Sequence, residues 1–109
     1  MKPFNISIYL GLKEHYDGTE HETPEVISFL QYYVSSNPIC FSVTPTSFVH
    51  PSGAEKGVII GLIQYPRFPK EEKELISIAL DVAESLRIKF RQYRVTVGFP
   101  DNMIMLGEK

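Results

Sequence analysis

The stretch Val58-Ile59-Ile60-Gly61-Leu62-Ile63-Gln64-Tyr65-Pro66-Arg67-Phe68-Pro69 decides the fold. Successive side chains of a strand point to opposite faces of the sheet, so its unbroken apolar start needs cover on both faces and predicts a central strand over 58–65. Pro66 and Pro69 fix two φ angles and remove two N–H donors, which ends the ladder and stiffens the corner. From Pro69 the spacing predicts the longest helix, because Leu75, Ile76, Ala79, Val82, Ala83, Leu86 and Phe90 form one apolar stripe. Glu71, Glu72 and Glu74 lie in its first turns and Arg87, Lys89 and Arg91 in its last, each cluster where the helix dipole favours its sign.

On the N-terminal side, Phe4, Ile6, Ile8, Leu10 and Leu12 alternate with Asn5, Ser7, Tyr9, Gly11 and Lys13, the period of a strand with one face in a core. A polar loop follows to Glu22. Thr23-Pro24 then supplies an N-cap and a first-turn proline for a helix carrying Val26, Ile27, Leu30, Tyr33 and Val34, which Asn37-Pro38 stops. Ile39, Phe41 and Val43 make an edge strand that Pro45 is expected to end or bend, with Thr46 to Val49 continuing beyond a bulge. His50-Pro51-Ser52-Gly53 reads as a hairpin turn into the central strand. Beyond the long helix, Tyr93, Val95, Val97 and Phe99 alternate with polar residues as another strand, and Met103 to Leu106 form an apolar tail that pairs back or packs down.

The order strand, helix, strand, strand, helix, strand, with right-handed crossovers, predicts an α+β, ferredoxin-like βαββαβ sandwich. Its four-stranded antiparallel sheet has the first and third strands in the middle and both helices on one face. The other face is open and presents Tyr9, Ile59, Gly61, Ile63 and Tyr65, bordered by Ser42, Thr44, Arg94 and Thr96. Exposed apolar surface of this kind marks an interface, so a homodimer through Tyr9, Ile59 and Ile63 is expected.

With 109 residues and 43% hydrophobic content the chain reads as one domain, 1–109, with enough apolar mass for a core. Eleven basic against thirteen acidic residues leave a net charge of −2 and no field that draws the whole molecule onto a phosphate backbone. The first strand also lacks the paired aromatic and basic submotifs of an RNA-recognition sheet, so no polynucleotide partner is expected. The single Cys40 forms no internal disulfide, and no apolar run reaches the length of a membrane span or signal segment. A cytoplasmic protein without a membrane partner is expected.

His15, Asp17, Glu20, His21 and Glu22 crowd one loop, but their spacing matches no recognised metal-ligand motif. No P-loop, dinucleotide fingerprint, nucleophile elbow or zinc motif occurs, and neither metal nor cofactor is expected. Arg67, on a stiff turn between Tyr65 and Phe68, has two readings. It clamps a phosphate or stacks on a base, or it pairs with a neighbouring glutamate as a surface ion pair. Arg91 and Arg94 extend a basic run with Phe90 and Tyr93 interleaved.

The segment Thr44-Pro45-Thr46 with Phe48, followed by Glu55-Lys56-Gly57 and the run from Val58 to Pro69, resembles small uncharacterised proteins encoded by tailed bacteriophages. The resemblance covers the middle third of the chain and brings no assigned catalytic residues. It implies a protein of the host cytoplasm, in an infected cell where small non-enzymatic proteins bind a host protein or sequester a nucleotide signal. Three functions follow in order. The first is a non-enzymatic homo-oligomeric module that binds a small anionic, nucleotide-like ligand through Arg67, Tyr65, Phe68, Arg91 and Arg94. The second is an interaction or inhibitor module docking on a host protein. The third is an enzyme, which needs His15, His21 or His50 close to a carboxylate in a cleft.

Overall fold

The computed structural model describes residues 5–16, 18–63 and 70–108. Strand β1 (Asn5–Gly11) leads through a single 3-10 turn (Glu14–Tyr16) to helix α1 (Thr23–Val34). The hairpin β2 (Phe41–His50) and β3 (Gly53–Ile63) follows, then α2 (Glu72–Lys89), β4 (Arg94–Gly98) and β5 (Met103–Gly107). The sheet is antiparallel throughout with order β2-β3-β1-β4-β5. The α+β, ferredoxin-like arrangement expected from the sequence is present, with β1 and β3 inside. The apolar tail pairs back on β4 as a fifth strand, and the turn between them is closed by the Phe99 N–H donating to the Asn102 carbonyl at 2.7 Å.

The alternation in β1 does what it predicts. Ile6, Ile8 and Leu10 are buried with Val58, Ile60 and Leu62 of β3 and Val95 and Val97 of β4, none more than 2% exposed. The stripe Leu75, Ala79, Val82, Ala83, Leu86 and Phe90 covers them from α2, and Val26 and Leu30 from α1. Each large side chain so removed from water stabilises the fold by roughly 1.5–3 kcal/mol, and the two faces of β3 are unequal because only one lies under helices.

Two local expectations are corrected. Strand β2 runs through Pro45 with unbroken register, Pro45 standing opposite Val58, so it neither ends nor bulges there. Its edge position is the reason: an outer strand has one side without ladder bonds, where a missing N–H costs nothing. The N-cap of α1 is Glu22, one residue earlier than Thr23, and its N–H donates to Glu25 Oε2 at 2.7 Å. The 64–69 corner, with Pro69 as a helix start, lies outside the described residues. Arg91 lies beyond α2, in a left-handed conformation with φ 52°.

The end of β5 carries a testable constraint. Gly107 has φ +103°, and a Cβ built on it would stand 2.1 Å from the Tyr93 carbonyl oxygen, which accepts from the Glu108 N–H. Gly107→Ala is therefore expected to lower unfolding free energy by about 1–2 kcal/mol, read by urea titration, through the backbone strain and displacement of β5. No helix among the described residues is long and apolar enough to cross a membrane.

Candidate functional site

Paired residues of an antiparallel sheet share a face, so the register places the open surface directly. Tyr9 pairs with Ile59 and with Thr96, and Thr96 with Met105. In the same phase Gly11 pairs with Gly57, Glu55 with Phe48, and Ile63 with Asn5. Tyr9 and Ile59 thus occupy the open face, as the alternation predicts.

One end of this face holds a cavity of about 420 Å³. Tyr9 and Gly11 of β1 lie at its floor, Phe48 and His50 of β2 with Glu55 of β3 on one side, and Arg94, Thr96 and Met105 on the other. His15, Gln92 and Tyr93, from the two loops beyond the strand ends, close the remaining end.

The glycine pair makes the cavity. A Cβ on Gly57 would stand 2.1 Å from Phe48 Cε2 and 2.7 Å from the Leu10 carbonyl oxygen, so the phenyl ring lies across the sheet because nothing projects beneath it. A Cβ on Gly11 would stand 2.9 Å from Gln92 Oε1 and 3.2 Å from Glu55 Oε2. Those two oxygens therefore converge on one point above β1. Gln92 is 8% exposed, and its Nε2 donates to the carbonyls of Lys13 and Phe90, both at 2.9 Å, which leaves Oε1 turned to the cavity. Glu55 is half-buried and makes no hydrogen bond or ion pair among the described residues. A carboxylate seldom loses water without gaining a partner, so Glu55 is placed to receive one.

The end wall is stitched from two segments distant in sequence. The His15 N–H donates to the Arg91 carbonyl at 3.1 Å, and the His15 ring stacks on Tyr93 with centroids 4.4 Å apart. His15 and Arg91 are the two non-glycine residues with positive φ among those described. That conformation costs about 1–2 kcal/mol for a residue with a Cβ, so the wall is held by its contacts and not by local preference.

The arrangement suits a flat, partly apolar group lodged between aromatic rings, with hydroxyl, ammonium or other electron-poor atoms turned to Glu55 and Gln92. The imidazoles of His15 and His50 and the Glu55 carboxylate line one cleft. Of the residues singled out from sequence, Arg94 lines the cavity and Tyr9 forms its floor. Arg91 does not line it: it is exposed, with Nε 4.0 Å from Glu14 Oε1. Ile59 is on the same face beside the cavity, and Tyr65, Arg67 and Phe68 lie outside the described residues. The crowded loop after β1 is used differently, His21 standing between Glu14 and Glu25 while the backbones of Lys13 and Glu20 pair as an isolated antiparallel β-bridge.

Sequence reasoning passed over Glu55, Gln92, Phe48 and Met105. Glu55 did carry a signal: counted back from Ile59 by twos, it is the one charge on the open-face positions of β3. Gln92 carried none, since its role comes from a loop contact 79 residues apart in sequence.

No family model and no curated protein matches the chain. Two solved structures do. A phage SAM lyase in complex with S-methyl-5′-thioadenosine aligns at TM-score 0.76 and 17% identity, over 96% of this chain and 89% of its own. A phage SAM lyase in the apo state aligns at TM-score 0.77 and 16% identity, over 97% and 90%. At this identity the likeness establishes a shared fold, nearly end to end. It counts against the expectation of a non-enzymatic module, since both matched structures are of phage lyases and the fold therefore carries an enzyme in those proteins.

Proposed function

We propose that the protein is a lyase acting on S-adenosylmethionine or a closely related adenosyl sulfonium, releasing S-methyl-5′-thioadenosine. The observation that carries this reading is the Glu55 carboxylate, which has no hydrogen bond or ion pair among the described residues, beside Gln92 Oε1 in a cavity lined by Tyr9, Phe48, His15 and Tyr93. The matched fold supports it, since one of those lyases holds the thioadenosine.

The chemistry fits the groups present. A lyase adds no water, so the bond from sulfur to Cγ of the aminoacyl arm breaks with its electron pair passing to sulfur, which becomes a neutral thioether. Cγ receives a pair from within the arm, either from its own carboxylate, which closes a lactone, or from the Cβ–H bond, which leaves an alkene while the released proton passes to a carboxylate or imidazole base of the cavity. Both routes need the arm folded and the adenosyl group held still, and such positioning alone lowers barriers by several kcal/mol. Tyr9 and Phe48 offer aromatic surface to adenine. Glu55 and Gln92 accept from hydroxyls or the α-ammonium, and the planar guanidinium of Arg94 suits the substrate carboxylate. The expectation of a nucleotide-like ligand is kept in this reading. Its anionic character is not, because the cavity turns a carboxylate and an amide oxygen toward the ligand.

The test is direct. Purified protein incubated with S-adenosylmethionine is expected to accumulate S-methyl-5′-thioadenosine, resolved by liquid chromatography and mass spectrometry. Folded protein that consumes none, and binds the thioadenosine no better than adenosine, overturns the reading. Association of copies through the open face, where Tyr9, Ile59 and the exposed Met103 and Met105 lie, belongs to the same proposal. Native mass spectrometry is expected to show a multimer, and a monomer at micromolar concentration removes that part.

A further inference from the structure

His21 lies outside the cavity but in the loop that carries His15, and both of its ring nitrogens stand on carboxylates. Nε2 is 2.7 Å from Glu14 Oε2 and Nδ1 is 2.9 Å from Glu25 Oε1. The ring meets the buried Phe90 edge-on with centroids 5.0 Å apart, and the His21 N–H donates to the Leu12 carbonyl at 2.7 Å. A neutral imidazole has one N–H and donates to one carboxylate, so two donated bonds require the imidazolium. The carboxylates come from separate elements, Glu14 from the 3-10 turn and Glu25 from the first turn of α1. Other charges face the same group. Arg91, past the end of α2, is 4.0 Å from Glu14 Oε1. Lys89 lines a groove with His21 and Glu25, and the Glu22 N–H occupies Glu25 Oε2. Glu14 immediately precedes His15, whose ring forms the cavity wall against Tyr93.

We infer that His21 is a positioning residue for the cavity: by bridging Glu14 to Glu25 it holds the 14–16 turn, and with it the His15 ring against Tyr93. A side chain that never meets the ligand thereby sets the shape of the wall. With His21 neutral, one carboxylate faces a ring lone pair and the bridge falls to a single bond. The left-handed backbone at His15, φ 45°, then has less to hold it. The hydrogen bond to Glu25, joined by that to Glu14, raises the pKa of His21 above its ordinary value against the opposing effect of burial. For a raised folded-state pKa the bridge is whole below the unfolded value of 6.5 and is lost as pH rises through the higher folded one.

The inference concerns the site proposed above, and the experiment has one arm that does not depend on that proposal. Hydrogen exchange at the His15 amide, corrected for intrinsic rate, is followed between about pH 5.5 and 8.5. Protection in the wild type is expected to fall about tenfold as His21 loses its proton, the equivalent of one charge-assisted hydrogen bond. His21→Gln keeps only one donor group and is expected to show the weaker protection at every pH. Glu14→Gln, a milder change, is expected to do the same. Protection that ignores pH, or that follows the same profile in H21Q, overturns the inference. The second arm titrates S-methyl-5′-thioadenosine by calorimetry over the same range. Affinity is expected to weaken several-fold more with pH in the wild type than in H21Q, and that difference between the two proteins is what is read. Affinity with the same profile in both proteins overturns the claim on the cavity. A protein that shows the exchange effect but binds no thioadenosine overturns the ligand reading and leaves the positioning role standing.

Discussion

Glu55→Gln is expected to lower conversion of S-adenosylmethionine to S-methyl-5′-thioadenosine by about 10²-fold or more, the usual scale for removing a positioned titratable group from a site. The substitution keeps the shape of the side chain and removes only its charge. Because Glu55 has no hydrogen bond or ion pair among the described residues, no structural network is lost with it. The melting temperature is therefore expected to stay within about 2 °C, as for a substitution that touches no packing feature. A fall in kcat with KM unchanged would place the carboxylate in the transition state, and a rise in KM alone would make it a ground-state contact. Activity equal to wild type would remove Glu55 from the site. Arg94→Gln under the same assay is expected to act mainly on KM, since a guanidinium at the mouth holds the arm of the substrate and not its reacting bond.

Gly57→Val is expected to cost about 3 kcal/mol of stability and to abolish ligand binding together with it. Gly57 is buried between β1 and β2, and an added Cβ meets the Phe48 ring at 2.1 Å and the Leu10 carbonyl at 2.7 Å. The ring can swing away, but the carbonyl belongs to the backbone of the neighbouring strand and cannot. For a domain of this size the melting temperature falls by roughly 12–24 °C, at about 4–8 °C per kcal/mol. Differential scanning calorimetry reads the first effect and thioadenosine titration at low temperature the second. Phe48→Ala separates them. It removes the ring that Gly57 accommodates, so Gly57→Val in that background is expected to cost less, the remainder being the clash with Leu10. Equal costs in the two backgrounds would mean that the ring yields freely, and Gly57 would then owe its place to the backbone alone.

How far the molecule is legible from its residues depends on the range of the interaction that places each part. Strand β1 declares itself because alternation is a local property, and a shift of one residue would carry Ile6, Ile8 and Leu10 from the core to solvent. Helix α2 declares itself by the same logic at a longer period. The path of β2 through Pro45 does not, because whether a proline interrupts a strand depends on what pairs with its other side. The tail at Met103–Gly107 reads as apolar and short; that it becomes a strand depends on the free edge of β4.

The cavity is where local reading runs out. The residues with local emphasis in the sequence are Arg67 on its proline corner, which lies outside the described residues, and the basic run to Arg94, of which Arg94 reaches the cavity. Glu55 shows only as the one charge in the open-face phase of β3, His15 only as a member of the polar loop after β1, and Gln92 not at all. Gly11 meets Gly57 through strand pairing, and Gln92 meets Lys13 through a loop contact, so the point where Gln92 Oε1 and Glu55 Oε2 converge exists only once the sheet has closed. The sequence by itself determined the order of the elements and which face of each turns to the core, because those follow from the spacing of apolar side chains along one segment. The tertiary structure alone decided which polar groups share a cleft, because that depends on pairings between segments tens of residues apart, which no local pattern encodes.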